Sequence, residues 1–173
     1  MKNGMAKSTK PRVFTDANIL FAGSSFPRWS YEVLQHALDE DYRLVLCPLV
    51  IDSARRHLQK RFPEQLDRFE KFLKRADYEL VPDPTPEEVS ANHNLVRDAG
   101  DIGVALAAIA AKVDYMVSED KDLSSRDETT SELRLHIKVM IAGTFLREVM
   151  GWTSEELEKI RYRTWDDMDK DKE

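Results

Sequence analysis

Short apolar runs that alternate with amphipathic segments predict an α/β fold, a three-layer α/β/α sandwich around a largely parallel central sheet. Three observations carry this. The runs are of strand length, helical periodicity follows most of them, and the connections between them leave room for crossover helices. A chain of 173 residues with 42% apolar residues is long enough for one well-buried core and too short for two ordinary domains.

The elements follow in chain order. Arg12 to Asp16 reads as a first strand, and FAGSSFPRW after it reads as a Gly/Ser/Pro loop. Ser30 is the expected N-cap of YEVLQHALDE, in which Val33, Leu34, Ala37 and Leu38 fall at helical spacing. Tyr42 to Cys47 gives a second strand, and Pro48 suits the first turn of a helix running toward Arg61. Pro63 opens PEQLDRFEKFLKRA, with Leu66, Phe69, Phe72 and Leu73 as its apolar stripe. Tyr78 to Val81 is a third strand, closed by PDPTP. Thr85 and Glu88 then have capping-box spacing. RDAGDIGVALAAIAAKV is a small-residue helix able to pack closely on a sheet, and DYMVSEDKDL contains a fourth strand leaving the core at Ser118. His136 to Ile141 gives a fifth strand, with helices expected from Thr144 and Thr153.

Composition narrows the function classes. The segment MKNGMAKSTK has lysines but no apolar h-region, so no secretory signal is expected and the protein reads as cytoplasmic. The longest uncharged apolar run, Ile102 to Ala111, falls short of the roughly 20 residues of a membrane span. One cysteine, Cys47, excludes an internal disulfide and a cysteine-based zinc cluster, and reads as a small buried hydrophobe. A net charge of −6 argues against nonspecific coating of nucleic acid, which relies on many Lys/Arg contacts. The charge is uneven, with eight Lys/Arg against three Asp/Glu between Arg55 and Arg75, and five acids against two lysines in DDMDKDKE. The basic stretch reads as an exposed helix face with a possible substrate contact; the acidic one reads as a solvated end.

Asp16 raises the central question, because an unpaired carboxylate ending an apolar strand is costly to desolvate. In parallel sheets the functional crevice lies beyond the carboxyl ends of the strands, where strand order reverses. Asp16 ends the first strand, Asp120 follows the fourth, and Asp101 opens the helix leading to the fourth. Three converging carboxylates repel one another unless a divalent cation neutralises them. Oxygen-only ligands suit Mg²⁺ or Mn²⁺ rather than zinc.

VFTDANIL, VRDAGDIGVALAAIAAKVDYMVSEDKDL and the order between them resemble a PIN domain, a metal-dependent ribonuclease fold found among bacterial and archaeal toxins. The resemblance runs from about Arg12 to about Val149. It implies a Mg²⁺ or Mn²⁺ site, endonucleolytic cleavage of an RNA substrate, an antitoxin protein partner and a homodimer. Carried onto this sequence, it makes Asp16, Asp101 and Asp120 the catalytic, metal-holding carboxylates. Asn18 and Ser118 would orient them, with Asp98 and Asp122 as supporting acids. Residues 1–11 would be a loosely attached segment, 12–150 the PIN-like nuclease domain, and 151–173 a helical extension with the acidic tail. The pattern is broken at one position: where the family has a helix Glu, CPLVIDSARRHL places Ser53, with Asp52 one residue earlier. Adjacent helical residues point about 100° apart, so Asp52 substitutes only if the helix is rotated or shifted. Arg55, Arg56, Lys60 and Arg61 would steer RNA toward the acids.

Each site residue also has a plainer role. Asp101 would serve as a helix cap, Asp120, Asn18 and Ser118 as turn residues, and Trp29 as a pin for its loop or a platform for a base. The four histidines, His36, His57, His93 and His136, share no ligand spacing. Two rivals stand beside the nuclease. One is a PIN-fold module that binds RNA or an antitoxin without turnover. The other is a phosphohydrolase with Asp16 as nucleophile, which would want an acid where Asn18 stands.

Overall fold

The computed structural model describes residues 10–171, so most of the segment expected to be loosely attached lies outside the described residues. Among them a five-stranded sheet runs β1 (Arg12–Thr15), β2 (Arg43–Leu46), β3 (Glu79–Leu80), β4 (Tyr115–Val117) and β5 (Val139–Met140). The spatial order is β3-β2-β1-β4-β5 and every pair is parallel, with Phe14 beside both Val45 and Met116. The order in which strands are added therefore reverses between β1 and β4. That seam is the switch point at which a ligand crevice is expected.

Helices cover both faces. They are α1 (Ala17–Ser25), α2 (Trp29–Leu38), α3 (Pro48–Arg61), α4 (Leu66–Arg75), α5 (Pro86–Ala91), α6 (Ala99–Ala110), α7 (Lys121–Ser124), α8 (Ser131–Arg134), α9 (Ala142–Glu148), α10 (Ser154–Lys159) and α11 (Trp165–Asp171). Pro48 occupies the first turn of α3, and the Thr85–Glu88 capping box is formed at α5. A second such box joins Thr153 to Glu156 at α10. Phe14, Phe69 and Phe145 are wholly buried in the core, where each apolar side chain contributes about 1.5–3 kcal/mol relative to exposure. No helix among the described residues is long and apolar enough to cross a membrane.

Three expectations need correction. FAGSS is not loop but the second half of α1. Its small residues serve close helix packing, because a Cβ on Gly23 would meet Leu34 Cδ1 at 2.5 Å and the Ser30 carbonyl at 3.0 Å. Ser30 is not an N-cap. Helix α2 begins at Trp29 with no side-chain cap, and Ser30 is buried in its first turn. The segment after Thr153 forms two short helices rather than one.

Residues beyond Val149 pack on the α1–α2 corner. Trp29 Nε1 donates to the Leu157 carbonyl at 2.9 Å, Trp165 Nε1 to the Ser25 carbonyl at 3.0 Å, and Arg163 pairs with Glu32 at 2.6 Å. Arg68 lies 3.6 Å over the Trp165 ring, and Trp152 Nε1 donates to His36 Nε2. Replacing Gly23 by Ala forces Leu34, 2% exposed, out of place. Chemical denaturation of G23A is expected to show a loss of about 1–3 kcal/mol.

Candidate metal centre

Asp16 is placed by the end of β1. Its N–H completes the sheet by donating to the Val117 carbonyl at 3.0 Å, and its side chain caps α1 through a 2.7 Å bond from Ala17 N to Oδ1. The other oxygen, Oδ2, accepts from Ser118 Oγ at 2.7 Å and from Asn18 Nδ2 at 3.3 Å. Burial pushes the Asp16 carboxyl above its ordinary range, against the pull of the Ser118 and Ala17 hydrogen bonds. The charge is thus held by three donors in a site only 6% exposed.

Ser118 and Asn18 tie the two loops of the seam together. The buried Ser118 hydroxyl donates to Asp16 and accepts from Asp120 N at 3.1 Å and Asn18 Nδ2 at 3.3 Å, which uses all its bonding capacity. Asn18 Oδ1 accepts from Glu119 N at 3.1 Å. Asp120 caps α7 by accepting from Asp122 N at 2.9 Å. The turn role expected for Ser118 is present, and so is its place among the acids.

Asp101 differs from its neighbours. Asp98, not Asp101, caps α6, through Gly100 N at 2.8 Å. Asp101 sits one position past Gly100 in the first turn, and its Oδ2 is buried with no donor in reach. Burial, then the adjacent Asp120 carboxylate, then Asp16 and Asp98, push its carboxyl up to about 8. Two carboxylates cannot hydrogen-bond without a proton between them, so Asp101 and Asp120 either share one or repel.

The tightest grouping is Asp98, Asp101 and Asp122, which offer oxygens all within 4.8 Å of one another. The expected trio of Asp16, Asp101 and Asp120 does not form such a group among the described residues; Asp120 and Asp16 are near enough to push the Asp101 carboxyl up. The set is all oxygen, and one buried oxygen lacks a partner, which fits a hard divalent cation. Arg97, not singled out in the sequence, donates to Asp122 from both Nε (3.0 Å) and Nη2. Its only sequence signal is its place beside Asp98.

The remaining expected residues are spread along α3. Asp52 is exposed and pairs with Arg55 at 3.7 Å. Arg55 is gripped by both oxygens of Glu70 on α4, at 2.7 and 3.0 Å. Asp52 therefore pairs along its own helix face and does not turn inward in place of the missing Glu. Ser53, at that position, lies 3.4 Å from His57 Nδ1. Arg61 covers the rings of Phe21 and Phe62, while Arg56 and Lys60 are exposed. Cys47 is buried, with its thiol pushed up to about 12.

Fold and site together define a parallel-sheet α/β protein with a carboxylate cluster at its switch point. The model of the PIN domain family matches residues 12–122, and the chain belongs to that family. A search of the curated proteins finds no match. Among solved structures it is similar to PAE2754 from Pyrobaculum aerophilum, with TM-score 0.53 and 16% identity over 84% of this chain and 99% of that one. It is also similar to VapBC2 from Rickettsia felis bound to a DNA fragment from their promoter, with TM-score 0.51 and 12% identity over 75% and 98%. FitAcB from Neisseria gonorrhoeae follows at TM-score 0.50 and 11% identity over 76% and 98%. At these identities the likeness is one of fold.

The sign of the Asp101 shift sets a stability prediction. A carboxyl raised from about 4 when unfolded to about 8 when folded contributes stability that is fully present below 4 and lost as pH rises through 8. In EDTA, D101N is expected to melt above the parent at pH 8 and by a smaller margin at pH 5. Thermal melts of both proteins across that range check it; an equal margin at all pH values removes the repulsion.

Proposed function

We propose that this chain is a Mg²⁺- or Mn²⁺-dependent endoribonuclease and the toxin of a toxin–antitoxin pair. The observation that carries the reading is the buried, donor-less Oδ2 of Asp101 beside Asp120 at the β1/β4 seam. A cation there would satisfy that oxygen and remove the repulsion around it. Asp16, Asp101 and Asp120 would hold it, with Asp98 and Asp122 alongside. When bound, such an ion lowers the pKa of a water and offsets charge developing on a phosphodiester.

The chain's own groups supply position. Ala17 N–H, Ser118 and Asn18 fix the Asp16 carboxylate, and Asn18 fixes the Asp120 loop through Glu119 N. Cys47, buried and with a raised thiol pKa, takes no part. An Asp16 nucleophile is disfavoured because Asn18, where the general acid would stand, already donates its amide to Asp16. Arg56, Lys60 and Arg61 are the exposed cations of α3 available to RNA phosphates, since Arg55 is held by Glu70. The fold shared with VapBC2 and FitAcB supports a small antitoxin partner, and family resemblance supports a homodimer and a cytoplasmic setting.

A PIN module that binds without cutting is favoured by one observation, Ser53 at the family's Glu position with Asp52 turned to solvent. Incubation of a mixed RNA pool with Mn²⁺ separates the two. The parent is expected to cut, EDTA to stop it, and D16N and D101N to lose about 100-fold or more. Equal traces for parent and variants leave the binding module standing.

A further inference from the structure

A cleft of about 360 Å³ opens between the α1–α2 corner and the residues that follow α10. Its walls include Phe26, Arg28, Glu119, Arg161 and Tyr162. Glu119 lies between Ser118 and Asp120 in the chain, and its N–H is bound by Asn18, so the cleft shares the loop after β4 with the acid cluster, whose aspartates do not themselves line it. Arg161 and Tyr162 lie outside residues 12–122, the stretch matched by the family model.

The chemistry of the walls is that of a single-strand nucleic-acid subsite. Tyr162 is 71% exposed and Phe26 37% exposed, an unfavourable placement for rings with no ligand to cover them. Each carries a guanidinium on its ring, Arg161 at 5.4 Å and Arg28 at 5.0 Å. A ring with a cation on one face can stack a base on the other, and the same cation can reach a phosphate. Glu119 accepts Ala142 N–H at 2.6 Å, which offsets part of the only acid named in these walls. Arg161 also pairs with Glu158 at 3.5 Å and Arg28 Nε donates to the Arg163 carbonyl at 3.1 Å, which leaves the other N–H groups of each guanidinium for a phosphodiester strand.

We infer that this cleft seats one nucleotide of a single-stranded RNA next to the scissile phosphate, with its base on Tyr162 and its phosphate on Arg161. The inference rests on the ribonuclease reading and adds to it a subsite supplied by the C-terminal extension. The volume fits a compact ligand, since small-molecule sites run from about 300 Å³. An amphipathic partner helix would need a longer groove with anchors over two turns.

The test is steady-state cleavage of a labelled single-stranded RNA with Mn²⁺ by the parent, Y162A, Y162F and R161A. Melting in Mn²⁺ and in EDTA is measured on the same samples. Y162A is expected to raise KM on the order of tenfold with kcat little changed, Y162F to keep the parent KM, and R161A to weaken the salt dependence of KM. All should keep the parent's Mn²⁺ stabilisation. If the parent cuts RNA and Y162A and R161A match it in KM, the subsite is overturned and the nuclease reading survives, as it would if a protein partner occupied the cleft. If the parent neither cuts RNA nor gains stability with Mn²⁺, the nuclease reading fails and the subsite fails with it.

Discussion

Mutual repulsion among carboxylates at the β1/β4 seam is the constraint on which the rest of the structure depends. The sheet order brings the ends of β1 and β4 side by side, and each strand leaves the core through an aspartate or within three residues of one. A folded chain accepts buried like charges only when other groups offset them. Asp16 obtains its offset from protein donors. Asp101 does not, and its carboxyl holds a proton up to about 8 as a result.

The helices around the seam are fitted to that arrangement. Helix α1 starts on Asp16 and must then pass close to α2, which Gly23 permits by leaving no Cβ against Leu34. Helix α2 in turn receives the C-terminal extension through Trp29, Glu32 and Tyr31, whose ring meets Trp165 edge-on. The Arg163–Glu32 pair is largely withdrawn from water at both ends, so losing one partner would leave a poorly solvated charge. Packing that begins at Asp16 therefore ends by holding Arg161 and Tyr162 in the cleft beside Glu119.

Much of this was legible in the sequence, and the misses have physical causes. Pro48, the Thr85 capping box and the α4 stripe of Phe69 and Phe72 act locally, so spacing alone reveals them. The strands fall where expected with ends too long by one to three residues, the most at the start of β5, because pairing rather than apolarity fixes where a ladder stops. Helix α1 was hidden because Gly23, Ser24 and Ser25 look like loop residues until a neighbour is close enough to demand small side chains. The identity of the α6 cap turned on whether the helix starts after Asp98, which accepts from Gly100 N, or after Asp101, and both starts are admissible on paper. Asp52 was an open alternative for the missing Glu, and only the Arg55–Glu70 grip shows where that helix face points. Arg97 and the cleft at Tyr162 needed the folded chain, since their partners are distant in sequence.

The capping pattern itself separates the acids by role. Asp16, Asp98 and Asp120 each accept a backbone N–H at a helix start. Asp101 stands in the first turn of α6, inside the helix that Asp98 caps through Gly100 N. Its Oδ2 is buried beside Asp120 with no donor of its own. Only a proton or a cation can balance it, which makes Asp101 the group most sensitive to what occupies the crevice. A cap in place of Asp101 would have stabilised the helix and left the site without that sensitivity.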